Sequence, residues 1–135
     1  MALKITLKPL ERIIIGGAVV TNGKTRCDLV IGNNVPILRE KDIMREQDAT
    51  SPCRRIYFAI QLMYIDDNNL VEHHNIYWKL VQDLVKAAPS TLGIIDQISE
   101  NILSTKFYQA LKLASKLIDY EEEVINNVRN TARSI

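Results

Sequence analysis

The spacing of apolar residues changes near residue 40, and this change restricts the possible folds more than any other feature of the 135-residue chain. Before residue 40, Leu3, Ile5 and Leu7 alternate with polar residues, which predicts a strand with one solvent-exposed face. Short apolar runs separated by turn residues bring the predicted total to four or five strands. Beyond Arg39 the apolar residues recur every three or four positions, which indicates helices. The sequence therefore predicts an α+β protein, with a small antiparallel sheet in a β-rich part (residues 1–48) and about four helices in a helical part (residues 49–135).

Local signals mark where the helices begin and end. Ser51 is a favoured N-cap and Pro52 suits the first helical position, so the first helix should begin there. Ala88-Pro89-Ser90 should end the second helix, and the last should begin at about Thr105. The residues predicted to face inward are Ile56, Ala59, Ile60, Met63, Leu70, Tyr77, Val81, Leu84, Val85, Leu92, Ile95, Ile98, Ile102, Phe107, Leu111, Ala114, Leu117, Ile118, Val124 and Val128.

The stretch GGAVVTNGKT (residues 16–25) is close to a phosphate-binding loop but lacks its spacing. Five residues rather than four separate Gly17 from Gly23, and the segment that follows alternates like a strand instead of opening a helix. We predict a β-hairpin in which Asn22-Gly23 forms a type I′ turn, because both residues tolerate positive φ. Residues 18–21 would then pair with residues 24–27. The side chains sent to the core by this alternation are Cys27, Leu29 and Ile31.

The basic residues lie mostly at the front of the chain. The net charge is only +1, but residues 1–55 carry ten basic and six acidic side chains, whereas residues 56–135 carry seven and ten. A polyanion would therefore dock on the front part. The two cysteines, Cys27 and Cys53, lack Cys-x-x-Cys spacing and are expected to be reduced. With no long apolar run and no secretory leader, we expect a cytoplasmic protein that does not bind membranes.

The residues that could carry chemistry do not form a recognisable active site. His73 and His74 are adjacent and would point about 100° apart on a helix, so no metal site is predicted; His74 should border the core and His73 the surface. The acidic run from Glu121 to Glu123 should be solvated. No nucleophile elbow or paired carboxylate is evident. We expect no enzymatic activity and no cofactor.

Three segments resemble the FlbT family of alphaproteobacterial flagellin regulators: LKPLERIIIGGAVVTNGKT, VPILREKDIM and RRIYFAIQLMY. The likeness covers about residues 3–65. It implies a post-transcriptional regulator of flagellum biogenesis that binds the 5′ untranslated leader of flagellin mRNA and promotes its decay or blocks its translation. That family usually has Gly where this chain has Leu10. We therefore predict a type I turn at Pro9-Leu10, since a type II turn needs positive φ at Leu10.

LKPLERIIIG and VPILREKDIM are also distantly similar to the opening and closing strands of the CsrA family of RNA-binding regulators. In that family the first and last strands of a swapped dimer lie side by side and hold a GGA-bearing RNA loop. The similarity implies that Thr6 and Lys8 are first-strand contacts and that Arg39 is the arginine of the last strand. Leu7 replaces a basic residue typical of that strand, which lowers the expectation of a GGA preference.

The spacing and charge of these residues are compatible with RNA binding at the same positions. Lys4, Thr6 and Lys8 would project from one strand face about 7 Å apart, comparable with phosphate spacing along a single strand. Arg39 adds a planar fork for a phosphate or a base edge, and base stacking would come from Arg39 or Tyr57. The predicted RNA-binding residues are Lys4, Thr6, Lys8, Arg12 and Arg39.

Two kinds of partner remain open at this stage. The first is the flagellin mRNA leader. The alternative is a protein-interaction module or chaperone-like factor in flagellar assembly, whose helical part holds a flagellar regulatory or assembly protein and acts on RNA only indirectly. A small sheet with exposed edges also predicts a homo-oligomer.

Overall fold

The computed structural model describes residues 2 to 133, with side chains described as far as residue 130. The chain forms two compact units, Met1–Ile43 and Met44–Ile135. The first unit contains antiparallel strands and the second contains four α-helices, so the predicted α+β class is confirmed. Among the described residues, no helix combines the length and the apolar character needed to cross a bilayer.

The β-unit consists of two small antiparallel sheets. Its strands are β1 (Leu3–Leu7), β2 (Arg12–Ile15), β3 (Ala18–Thr21), β4 (Cys27–Ile31) and β5 (Ile37–Arg39). β1 pairs with β4, and β2 lies between β3 and β5. Ile5, Leu7 and Ile13 form the buried centre of the unit, because alternate residues of β1 and β2 point the same way. The side chains of Cys27, Leu29 and Ile31 pack against this centre, as the alternation predicts.

The predicted hairpin at Asn22-Gly23 is wrong. The hairpin turn is Gly16-Gly17, where both φ values are positive (+55° and +85°) and Ile15 pairs with Ala18 across it. Both dipeptides are favoured at the centre of a type I′ turn, but only Gly16-Gly17 adopts the positive φ values, because β4 pairs with β1 rather than with β3. Asn22 has a different role. Its side-chain nitrogen donates to the carbonyl oxygens of Lys8 (2.8 Å) and Thr25 (3.0 Å), which fastens two loops together.

The turn after β1 also differs from the predicted type I geometry. Leu10 has φ of +63°, the sign that a type II turn requires at its third residue. The Glu11 N–H donates to the Lys8 carbonyl at 3.1 Å and closes this turn, while the Leu10 N–H donates to the Gly23 carbonyl at 2.9 Å. These bonds hold an exposed leucine in the left-handed region, where a side chain is strained.

The helical unit contains α1 (Pro52–Ile65), α2 (Leu70–Ala87), α3 (Leu92–Leu103) and α4 (Phe107–Arg133). The predicted start of the first helix is confirmed, since the Ser51 hydroxyl accepts a bond from the Arg54 N–H at 3.2 Å. α1 packs against α2 and α4, and α3 packs against α4. The predicted inward residues that are fully buried are Ile56, Ala59, Ile60, Met63, Tyr77, Val81, Leu84, Ile95, Ile98, Ile102, Leu111, Ala114 and Leu117.

The predicted inward stripe of α4 is wrong toward its end. Val124 and Val128 are 41% and 64% exposed, and every residue from 122 to 130 is exposed. The core contacts of α4 come from its first half, where Ala114 and Leu117 are completely buried. The apolar residues keep their helical spacing along the second half of α4, although that half no longer packs against the rest of the helical unit. Leu92, at the start of α3, is also exposed rather than inward.

The acidic run on α4 is not simply solvated, contrary to the sequence expectation. The Glu121 carboxylate accepts bonds from the Ser51 hydroxyl (2.5 Å) and from the Cys53 N–H (3.2 Å), at the first turn of α1. Glu122 pairs with Arg54 at 2.6 Å. An acid at a helix N-terminus satisfies free N–H groups and opposes the positive end of the dipole. Glu121 therefore caps α1 together with Ser51.

The burial of the two adjacent histidines is the reverse of that expected from the sequence. His73 is the buried member at 8% exposure, and His74 is half-buried. The Nε2 atom of His73 lies 3.1 Å from a carboxylate oxygen of Asp66, while its buried Nδ1 atom has no hydrogen-bond partner within the part of the chain that the structure describes. Bonds from Asn69 and then His73 hold the pKa of Asp66 below its ordinary value.

Candidate nucleic-acid interface

The outer face of β1 carries two of the predicted site residues, Lys4 and Thr6. They alternate with the buried Ile5 and Leu7, so they point away from the core of the β-unit. Asp28 on β4 lies opposite Thr6 and accepts its hydroxyl at 2.8 Å, and Lys4 approaches the same carboxylate at 3.7 Å. The Thr6 hydroxyl, followed by the Lys4 charge, lowers the pKa of Asp28. This acid offsets part of the positive charge on the strand face.

Arg39, at the end of β5, bridges the two sheets of the β-unit. Its Nη2 atom donates to the backbone carbonyl of Thr6 at 2.8 Å and to the Glu11 carboxylate at 3.1 Å. Both of these bonds use Nη2, and the guanidinium also carries N–H groups on Nε and Nη1. The Arg39 side chain as a whole is 40% exposed.

Glu11 holds the turn after β1 in place. Its carboxylate accepts the Lys8 N–H at 2.9 Å and the Arg39 guanidinium, and its side chain is only 11% exposed. These two bonds lower the pKa of Glu11, with the Lys8 backbone bond as the larger cause. The carboxylate is therefore ionised at neutral pH and fixes the position of Arg39 relative to Lys8.

A cleft of about 430 Å³ opens beside this ion pair. It is lined by Lys8, Pro9, Leu10, Glu11, Arg39, Glu40 and Lys41. Three cationic side chains thus share one concave surface, at the junction between the turn after β1 and the end of β5. Two acids, Glu11 and Glu40, also line the cleft, so the three cations leave a net positive charge of one, which favours a phosphate group of a ligand.

Arg12 is separated from this cleft by the sheet. Arg39 lies opposite Ile13 in the register between β2 and β5, so Arg39 and Ile13 share a face. Arg12, the neighbour of Ile13 on the same strand, points to the other face. Its backbone N–H donates to the Glu40 carboxylate at 3.3 Å. The contact of Arg12 with a cleft residue is therefore made by its main chain.

The comparisons with known proteins agree on one family. A family model described as "Flagellar protein FlbT" matches residues 3–125. The chain belongs to the FlbT family. A Bradyrhizobium diazoefficiens protein named "Probable flagellum biosynthesis repressor protein FlbT 1" is 50% identical over 92% of this chain and 85% of its own length. The relative from Rhodopseudomonas palustris strain TIE-1, "Probable flagellum biosynthesis repressor protein FlbT", is 40% identical over 93% and 99%.

A third FlbT relative, the Caulobacter vibrioides "Flagellum biosynthesis repressor protein FlbT", is 36% identical over 95% of this chain and 92% of its own length. No solved structure matches the chain. Because the similarity spans both units, membership of the FlbT family extends beyond the N-terminal segments that indicated it. The CsrA likeness remains a resemblance of short segments only.

The structure of this FlbT chain places the five predicted contacts in three locations. Lys8 and Arg39 line the cleft, Lys4 and Thr6 lie on the outer face of β1, and Arg12 lies on the far face of the sheet containing β2. Tyr57 is 7% exposed and is therefore not available to stack on a base.

The sequence reasoning missed three residues at the site. Lys41 lines the cleft, Glu11 orients Arg39, and Asp28 binds Thr6 and Lys4. The charge of Lys41 and its position two residues after Arg39 could have identified it. Nothing in the sequence links Glu11 with Arg39, because 28 positions separate them until the strands pair.

Within residues 2 to 133, no group of three or more His, Cys, Asp or Glu side chains is arranged to hold a metal ion. The charged side chains that line the cleft offer ammonium, guanidinium and carboxylate groups. These groups can bind an anion and orient it, and they suit recognition of a phosphate backbone.

Proposed function

We propose that this chain is a cytoplasmic regulator of flagellum biogenesis that binds the 5′ untranslated leader of flagellin mRNA at the Lys8–Arg39–Lys41 cleft. Binding would promote decay of the message or block its translation. The chain contributes no catalysis in this proposal, so decay requires a separate nuclease. The observation that carries the proposal is the convergence of three cationic side chains on one cleft of the β-unit.

Two further observations support a nucleic-acid ligand. Curated FlbT relatives are named flagellum biosynthesis repressors, and the segments that form the cleft are among those that resemble the FlbT regulators. The cleft is also accessible from solvent at its border, where Leu10 is 64% exposed. Unpaired RNA loops suit such a surface, since their phosphates and base edges are both accessible.

The cleft residues divide the task of binding. Lys8 and Lys41 provide point charges for successive phosphates, whereas the planar Arg39 guanidinium can bind a phosphate or the acceptor pair of a guanine. Glu11 keeps the guanidinium in one orientation. Since Tyr57 is buried, the planar face of Arg39 is the stacking surface for a base.

The direct test is filter binding of a labelled flagellin leader over a range of salt concentrations. The informative variant is Lys8→Ala with Lys41→Ala, because neither lysine side chain bridges the two sheets as Arg39 does. The matched control is Lys79→Ala with Lys86→Ala, two exposed lysines of α2 that remove the same charge from the other unit. Loss of two phosphate contacts should make the slope of log K against log salt shallower by about 1.4.

The control variant should keep the wild-type slope. Equal slopes in the two variants would mean that the RNA contacts lie outside the cleft. If the purified wild type does not retain the leader even at low salt, the alternative is favoured: a protein-interaction module or chaperone-like factor of flagellar assembly. The uncovered apolar side chains between residues 122 and 130 would then be the first surface to examine for that partner.

A further inference from the structure

The helical unit has two apolar surfaces that no described residue covers. The first is a groove of about 460 Å³ between α1 and α2, whose apolar walls are Phe58, Leu62, Ile76 and Leu80. The second is the exposed end of α4, where Tyr120, Val124, Ile125 and Val128 are each more than 40% exposed. Contiguous exposed apolar patches are typical of surfaces that bind another molecule.

The end of α4 presents apolar side chains to solvent. Residues 122 to 130 all carry exposed side chains, although they continue a helix whose first half is packed in the helical unit. Tyr120, Val124 and Val128 are four residues apart, so they form a line about 12 Å long on one side of the helix. Such a line of anchors is the pattern by which a helix docks into an apolar groove.

The charges that border the two surfaces are complementary. The groove carries Arg55 and Glu46 at its border, and the line on α4 is flanked by Glu123 and Arg129. Within the described side chains, none of these four charges forms an ion pair. Each surface therefore offers one acid and one base, which a helix lying in the groove could pair.

We propose that the exposed end of α4 from one copy of this chain occupies the α1–α2 groove of a second copy, and that the second copy reciprocates. One contact then covers both apolar surfaces, and its repetition closes a symmetric dimer, because each copy supplies one helix end and one groove. This interface lies wholly on the helical unit and does not depend on RNA binding by the β-unit.

The first test is the mass of the purified full chain by light scattering at tens of micromolar protein. Wild type should be a dimer. Ile76→Asp in the groove and Val128→Asp on α4 should each weaken the dimer at least about tenfold, because each places a charge in a desolvated contact. Val71→Asp is the matched control, since Val71 is an exposed apolar residue of the same α2 outside the groove.

The second test is complementation by mixing the two interface variants. The Ile76→Asp copy retains an intact helix end, and the Val128→Asp copy retains an intact groove, so an equal mixture should form a heterodimer through one remaining contact. A nonspecific folding defect would not complement. Circular dichroism of each variant alone checks that its total helix content is close to that of wild type.

Three outcomes would overturn the proposal: a monomeric wild type at this concentration, dimers that persist in both interface variants, or a mixture that associates no more than its components. A monomeric wild type would assign the groove to a different protein. Persistent dimers would place the contact elsewhere, for example at the unpaired sheet edges.

Discussion

Arg39 donates to the Glu11 carboxylate at 3.1 Å, and this ion pair joins the turn after β1 to the end of β5. The same guanidinium nitrogen bonds the Thr6 carbonyl, so one side chain connects both sheets of the β-unit. Arg39 is therefore a structural residue as well as a candidate ligand for RNA. Substituting Arg39 alone cannot separate these roles, whereas substituting Glu11 can.

We expect Glu11→Gln to remove an acid-dependent part of the stability. The pKa of Glu11 is held below its ordinary value of 4.5, first by the Lys8 N–H and then by Arg39. A carboxyl whose pKa is lower in the folded state stabilises the fold above its unfolded pKa, and this contribution is lost as the pH falls through the folded value. Urea unfolding from neutral pH to about pH 3 should show wild type losing its advantage over the variant below about pH 4.5.

Glu72→Gln, an exposed change on α2, is the control for that experiment and should leave the pH dependence unaltered. Parallel stability curves for wild type and Glu11→Gln would contradict the expectation.

The same Glu11→Gln variant should bind the flagellin leader more tightly at low salt. It removes a negative charge from the cleft and replaces the Glu11 carboxylate beside Arg39 with a neutral amide. An RNA phosphate would then compete with this amide, rather than with a carboxylate, for the Arg39 guanidinium. Because screening weakens charge effects at exposed sites, the affinities of variant and wild type should converge at high salt. Filter binding measures both limits. A lower affinity at low salt would show that the orientation of Arg39 matters more than its free charge.

Leu10→Gly should leave the fold as stable as wild type or more stable by up to about 1 kcal/mol, because glycine tolerates the positive φ of this position and the leucine side chain is mostly exposed. Leu10→Ile should lower the unfolding free energy by about 1 kcal/mol, since a β-branched residue fits the left-handed region poorly. Leu3→Gly, an exposed strand position, is the control and should be destabilising. Urea midpoints at constant m-value give the three differences. A destabilised Leu10→Gly would mean that the side chain packs in solution.

Ser51→Ala should lower the unfolding free energy of the helical unit by about 1 to 2 kcal/mol, because Ser51 caps α1 and also donates to Glu121. Combining this change with Glu121→Gln should cost less than the sum of the two single changes. A double-mutant cycle on thermal or urea unfolding measures this coupling, expected at about 0.5 kcal/mol or more. Strict additivity would place Glu121 outside the cap. Asp119→Asn, an exposed change on the same helix, is the matched control.

Cys53 should resist thiol reagents in the folded protein. Burial, followed by the nearby Glu121, raises the pKa of Cys53 to about 12. At pH 8 only about one thiol in ten thousand would then be ionised, and the thiolate is the reactive form. Ellman's reagent should modify at most the half-buried Cys27 under native conditions and both thiols in urea. A Cys27→Ser variant isolates Cys53, and its rapid native modification would refute the expectation.

The order of elements was predictable because it rests on local signals. The cap at Ser51 and the inward alternation of β1 each depend on residues close together in the chain, and the structure confirms both. Whether Gly16-Gly17 or Asn22-Gly23 forms the hairpin turn is not determined by the residues of the turn themselves. Both pairs allow positive φ, and only the pairing of β4 with β1 decides between them.

The site was predictable only in part for the same reason. The resemblance of two segments to the CsrA strands implies Lys8 and Arg39, their charge is compatible with that role, and both line the cleft. Their relation to Glu11 arises from packing of separate strands, which the spacing of residues along the chain does not encode. The exposed end of α4 shows a second limit of sequence patterns. A continuous apolar stripe predicts which side of a helix is apolar, but it does not show at which residue the packing against other helices ends.

The bonds of Asn22 have a consequence for the lifetime of the purified protein. An asparagine followed by glycine readily loses ammonia, since the next backbone nitrogen attacks the side-chain amide carbon. In the fold this amide donates to the carbonyl oxygens of Lys8 and Thr25, which restrains it. Conversion to aspartate would place a carboxylate against two carbonyl oxygens and push the loops apart. Chemical ageing at Asn22 would therefore loosen the same turn that positions Lys8 and Glu11.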